Sequence, residues 1–280
     1  MPGYPAVGAP PTVKLLAPGA EPRTALRYTI AANSKARAEM TMNMTMAMSV
    51  AGMSMPMNMP GMKMTIDLAV TNVAANGDFS YDVAFTGFTM DAGADGNPLA
   101  AALESVQSSI TSMKGSATVS NRGVTKTSKM DAADPTVSQA LGSMTSEAQN
   151  FSMPFPEEAV GVGARWEVRQ ASTNGGQTIF QKTTYEVTSI AGPAVTMTVK
   201  SEQTAPPQSV SNPNLPAGAE IYLDKMTGTS EGKVTIRLDN LVPTSEMTST
   251  SSMSMTMNMG GQSQPLASDN TTKITIAPAK

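Results

Sequence analysis

Residues 40–48 read Met-Thr-Met-Asn-Met-Thr-Met-Ala-Met. Met40, Met42, Met44, Met46 and Met48 thus alternate with Thr, Asn and Ala. A period of two sends alternate side chains to opposite faces of an extended strand. The run therefore predicts a strand with one thioether face and one small polar face. The parity changes across Ala51-Gly52, a turn or bulge signal. Alternation resumes at Met53, Met55, Met57 and Met59, interrupted by Pro56, and Pro60-Gly61 marks another turn. Met62, Met64, Ile66, Leu68 and Val70 give a longer strand, and Asn76-Gly77 predicts a hairpin into Phe79, Tyr81, Val83 and Phe85. Near the other end, Met253, Met255, Met257 and Met259 alternate with Ser, Thr and Asn and mirror the first run.

Working outward, residues 1–22 are rich in Pro, Gly and Ala and read as a linker. The first ordered element is expected at Leu26–Ile30. The period switches to helical spacing at Asn97-Pro98, an N-cap followed by a first-turn proline. Leu99, Leu103, Val106, Ile110 and Met113 form one apolar stripe. Asp134-Pro135 opens a second such segment, with Val137, Leu141, Met144, Ala148 and Phe151. Residues 153–165 are a Pro/Gly-rich crossover. Beyond it, strands are predicted at 166–169, 177–188, 194–203, 220–226, 233–239, 246–258 and 271–277.

The expected fold is mainly β: a curved antiparallel sheet or barrel-like sandwich of about ten to thirteen strands, covered by two amphipathic helices. Its organisation reads as the linker 1–22, a Met-rich half with both helices at 23–152, and a second β half at 153–280, together one continuous domain. Arg27-Tyr28 and Arg165-Trp166, with Met113-x-Gly-Ser and Met226-x-Gly-Thr, suggest a duplicated half.

Composition removes whole classes of chemistry. The 280 residues include 24 Met but no Cys and no His. Disulfides, thiolate nucleophiles, His-dependent triads and His or Cys metal sites are thereby excluded. A net charge of −3, no basic block and 4% aromatic residues argue against nucleic acid. No glycine loop matches a phosphate-binding pattern, and no cofactor motif is present. No stretch reaches the roughly 18 apolar residues of a transmembrane helix. The opening segment lacks a charged region followed by an apolar one. Abundant Thr, Ser, Gly, Asn and Ala nevertheless point to an exported protein of the periplasm or cell surface.

Pro156-Glu157-Glu158-Ala159-Val160-Gly161-Val162-Gly163-Ala164-Arg165-Trp166 resembles a signature of uncharacterised exported bacterial β-rich families: proline, a short spacer, Val-x-Val-Gly, then tryptophan opening a strand. The resemblance covers 150–200 and carries no functional residue. The order of elements is also similar to that of envelope lipid carriers, in which helices plug a curved half-barrel, an analogy of fold alone.

The chemistry resides in the methionines. Fifteen of the 24 lie in 40–64 and 253–259. Met is unbranched and polarizable, fills irregular space and recurs on surfaces that accommodate varied shapes. One reading is that it fills the inner face of a sheet. A second is a deformable site at Met40, Met42, Met44, Met46, Met48, Met253, Met255 and Met257 that binds an apolar molecule, lipid-like, or a partner subunit of the envelope. A third assigns Met40, Met42, Met44, Met253, Met255 and Met257 to Cu(I) or Ag(I), because soft ligands select soft ions. A purely structural envelope subunit is the remaining alternative. The expectation is a non-catalytic protein. Asp91, Asp95 and Asn97 lack the spacing of a calcium loop. Ser230-Glu-Gly-Lys233 lacks the companions of a Ser-x-x-Lys enzyme. Glu157-Glu158 reads as solvated, and Trp166 as a core anchor.

Overall fold

The computed structural model describes residues 1–50, 53–91, 107–131, 152–174, 176–210, 220–259 and 262–279. The strands are β1 (Thr12–Ala17), β2 (Lys35–Val50), β3 (Met53–Asn58), β4 (Met62–Val73), β5 (Phe79–Met90), β6 (Lys114–Val119) and β7 (Thr125–Asp131) in the first half. The second half supplies β8 (Arg165–Asn174), β9 (Gln177–Ala191), β10 (Ala194–Ala205), β11 (Gln208–Val210), β12 (Glu220–Arg237), β13 (Thr244–Met259) and β14 (Gln262–Pro278). All belong to one 14-stranded sheet, in the order β1-β8-β9-β10-β12-β13-β14-β2-β4-β5-β6-β7, with β3 and β11 paired beside β2 and β12. Every pairing is antiparallel. The sheet is open, because β1 and β7 end the order without pairing to each other. Of the two expected architectures, the single antiparallel sheet is found, and the barrel-like sandwich is corrected to it.

The two expected helices are not part of the described architecture. The first is described only as a helical turn at 107–111. The rest of it, and the second at 134–151, lie outside the described residues, as do Asp95 and Asn97. The segment read as a linker contains β1, which pairs with β8, and Tyr4, whose ring meets Phe180 edge-on at 5.2 Å. The first ordered element expected at 26–30 lies outside the sheet. Its alternation is real, since Leu26, Tyr28 and Ile30 are all buried. They plug the core from the side.

Two straps hold the curl of the sheet. Residues 24–30 and 152–160 cross its open side, joined by a bridge between Thr24 and Val160. Tyr28 packs on Phe79 of β5 at 5.8 Å and on Phe155 at 5.2 Å. Phe155 meets Trp166 of β8 at 6.3 Å, and Trp166 stacks on Tyr185 of β9 at 5.4 Å. β5 and β8 lie far apart in the strand order yet share this aromatic chain, so one face is wrapped around a core. That face is the inner face. Backbone bonds fix the straps: Tyr28 N donates to Asn121 O (2.7 Å), Thr29 N to Leu238 O (2.7 Å) and Phe155 N to Arg122 O (2.8 Å). The approach is very close at Gly123, which has a φ of +76° and where an added Cβ falls 1.9 Å from Met153 O. Only glycine permits both.

Burial pushes the Tyr28 hydroxyl up to about 12, despite the Met153 N–H that it accepts at 3.0 Å. The Tyr81 hydroxyl is also raised, again chiefly by burial. The fold thus keeps protons that unfolded tyrosines release near pH 10. Its contribution is complete below that pH and is lost as pH rises toward 12, at up to about 1.4 kcal/mol per unit for each phenol. The urea midpoint is expected to fall over that window, and less steeply in Tyr28→Phe. Identical slopes in the two proteins would contradict the burial of Tyr28.

Candidate functional site

The pairing registers sort the inner face into successive rows. Nearest the straps, Met40 pairs with Met64 and Met42 with Met62. These side chains are 0%, 3%, 2% and 7% exposed, respectively, and belong to the core. The row through Met42 continues across Ile274, Met247, Gly232, Val199 and Tyr185 to Trp166. This is the apolar floor.

The next two rows change chemistry. One runs from Met44 through Thr272, Ser249, Ser230 and Ser201 to Thr183. The following one runs from Met46 through Asn270, Ser251, Gly228 and Gln203 to Gln181 and Gln170. Side chains knit this belt together. Gln170 Nε2 and Gln203 Nε2 both donate to Gln181 Oε1, at 3.1 and 3.2 Å, and Gln181 Nε2 donates to Thr183 Oγ1 at 3.1 Å. The buried hydroxyls of Thr183 and Ser201 are 3.1 Å apart, and Ser249 donates to Ser230 at 2.8 Å. Buried polar groups persist when they are paired in this way. Asn270 donates to Ser251 at 3.5 Å, but its Oδ1 is buried without a partner.

Beyond the belt the face turns apolar again. One row joins Met55, Met48, Ser268, Met253, Met226 and Ala205. The next joins Met53, Val50, Leu266, Met255 and Leu223. Met257 and Ile221 are paired at the rim. Leu223, Met226 and Ala205 form a second small core, on which Ile179, Val210, Met253 and Met255 pack half-buried. This end is the outer end of the sheet, where two partner strands are interrupted. β4 gives way to β3 across Pro60-Gly61 along β2, and β10 gives way to β11 across Pro206-Pro207 along β12. Proline brings no N–H to a ladder, so strands break there.

The sequence-predicted site residues therefore divide. Met40 and Met42 are core, Met44 and Met46 stand at the β2 end of the two belt rows, and Met48 joins the apolar end. Met253, Met255 and Met257 line the same face two strands away, across β14. Met53, Met55, Met57, Met226 and Leu223 belong with them, and the earlier alternation at 53–59 already signals the first three. The glutamine–hydroxyl belt has no such signal, because Ser, Thr and Gln fill both faces of β9, β10, β12 and β13.

Charge is sorted as sharply as polarity. In β2–β5 and β8–β14 no Lys, Arg, Asp or Glu occupies an inner-face register position. Asp224, at a bulge in β12, accepts from Thr256 Oγ1 on the outer face at 2.9 Å. Outer-face charges pair with each other, as in Arg37–Asp67 (2.6 Å) and Lys63–Glu39 (2.7 Å). The Arg37 guanidinium holds the Asp67 carboxyl below its ordinary value. A shallow groove of about 440 Å³ on that face is lined by Arg37, Asp67 and Asp82. At the methionine end Met48, Met53, Met55 and Met57 are exposed. Among the described residues no group of three or more His, Cys, Asp or Glu is placed to hold a metal ion, and no helix is long and apolar enough to cross a membrane.

An open antiparallel sheet with a charge-free inner face is thus the class of protein that fold and site define. The chain belongs to a family described as Family of unknown function (DUF6263), which matches residues 41–241. A comparison with curated proteins found no match. Among solved structures, the crystal structure of Pseudomonas aeruginosa OccK2 (OpdF) in complex with glucuronate is similar at 8% identity, over 90% of this chain and 100% of that one. Its TM-score is 0.20, and a likeness that low carries nothing over to this chain.

Proposed function

We propose that this is a non-catalytic protein of the cell envelope that holds an apolar, lipid-like molecule on the methionine end of its inner face. The observation that carries the reading is the absence of charge from that face where its apolar side chains are only half-buried. Apolar surface left open in this way marks a binding surface, and a ligand with no formal charge meets no unpaired ion there. Thioether side chains adapt to acyl chains of different shape, which a β-branched lining resists. The glutamine–hydroxyl belt lies one row deeper and offers neutral hydrogen-bonding groups, Asn270 Oδ1 among them, to a polar end of the molecule.

The test is titration of the full chain, extracted with organic solvent and refolded, with an environment-sensitive apolar fluorophore. Saturable binding that a fatty acyl ester displaces is the expected result. Fluorescence no greater than with an unrelated β protein would overturn the proposal.

A further inference from the structure

The two methionine groups differ in their surroundings. Met253 and Met255 pack on Leu223, Met226 and Ala205. On the β2–β3 hairpin, Met46, Met48, Met55 and Met57 are not among the side chains packed on that cluster. Thioethers dominate the hairpin's inner face: Met46 pairs with Met57 and Met48 with Met55, and beyond them Met53 pairs with Val50. Met48, Met55, Met57 and Met53 are 37%, 52%, 41% and 71% exposed. These are among the most exposed large apolar side chains in the protein, and they sit side by side. Burial accounts for only part of what they contribute.

Register sets their spacing. Residues paired across antiparallel strands have Cα atoms about 4.5–5.5 Å apart, and next neighbours on one strand and one face are about 7 Å apart. Met46, Met57, Met48 and Met55 are therefore the corners of a small rectangle. Each sulfur is carried on three rotatable bonds and can swing toward the centre. Among the described residues of the sheet around the hairpin no carboxylate or charged nitrogen holds a register position on that face, and the chain has no His or Cys. Hard divalent ions have nothing to hold them there, whereas neutral thioethers suit a soft monovalent d10 ion.

We infer that Met46, Met48, Met55 and Met57 form a binding site for Cu(I) or Ag(I) on the β2–β3 hairpin, at one edge of the apolar surface that continues over β12 and β13. The site shifts the sulfur set from Met40 and Met42, which are enclosed in the core, to residues that an ion can reach. It involves binding only, with no change in the oxidation state of the ion or of the sulfur.

The experiment uses the full chain and Ag(I), which is stable in air, followed by Cu(I) under strictly anaerobic conditions. Native mass spectrometry and a competition titration read stoichiometry and affinity. Two Leu sets are compared, because Met and Leu are close in volume. In one, Met48, Met55 and Met57 become Leu, and in the other Met253, Met255 and Met257 do. Circular dichroism checks that both remain folded. The expected result is one ion per wild-type chain, affinity at least a hundredfold weaker in the first set, and unchanged affinity in the second. Absence of binding by the wild type, equal binding in all three proteins, or equal loss from both sets would overturn the site.

Discussion

Trp166→Ala is expected to remove about 3–5 kcal/mol of stability, the usual cost of deleting a buried large aromatic side chain. The magnitude follows from its position. Trp166 is 0% exposed, stacks on Tyr185 and meets Phe155 edge-on. Its indole N–H donates to Pro154 O at 3.0 Å, so it also ties a strap to the sheet. Alanine leaves a cavity among side chains that the backbone holds in place, and a carbonyl without its donor. Domains are stable by about 5–15 kcal/mol, so the variant loses a large share of the whole. A urea titration at neutral pH measures the difference. A loss below about 1 kcal/mol would mean that the strap and the sheet are not coupled through this ring.

The double variant Met253→Asp with Met255→Asp is expected to weaken binding of the apolar fluorophore by at least about tenfold, equivalent to about 1.4 kcal/mol. Both side chains lie half-buried against the small core at the outer end. A carboxylate there finds no cation on the inner face, so an apolar molecule covering it must strip its hydration uncompensated. Thr250→Asp, on the exposed outer face of the same strand opposite Thr229, is expected to bind as the wild type does. Equal affinity in all three proteins would move the binding surface elsewhere.

The parts of the fold legible in the sequence were those whose alternation had contrast. Met40–Met48 against Thr, Asn and Ala named β2, and the Met, Ile, Leu and Val of 62–70 named β4. The Asn76-Gly77 turn was equally plain: Gly77 has a φ of +84°, and Asn76 Oδ1 accepts from Asp78 N at 3.1 Å. Leu26, Tyr28 and Ile30 show the limit of the rule. Their alternation is set by core packing, and nothing local says that a strap, not a strand, supplies it. β1 was obscured by its prolines and glycines, which resemble a linker although Val13 and Leu15 pack against the core. The wrapping of the sheet depends on contacts between residues more than a hundred positions apart, such as Met153 N with Tyr28 Oη. No window of sequence contains those.

The same reasoning applies to the site. Methionine runs single out Met46, Met48, Met253, Met255 and Met257 together with Met40 and Met42, and identity alone does not separate the first five from the buried pair. Which strands flank them decides that. β14 runs along nearly all of β2 on one side, while on the other side β4 accompanies its first part and the short β3 its second. The belt was illegible for a different reason. Gln170, Gln181 and Gln203 are ordinary surface residues by composition, and only register places all three in one row.

The most direct measurement of the central claim is native mass spectrometry of the full chain, purified gently from its own source. The account predicts a bound mass of several hundred daltons, typical of a lipid-like molecule, released by organic solvent and absent from the variant carrying Met253→Asp and Met255→Asp. A bare chain mass from gently purified wild type, or the same adduct on the variant, would contradict it.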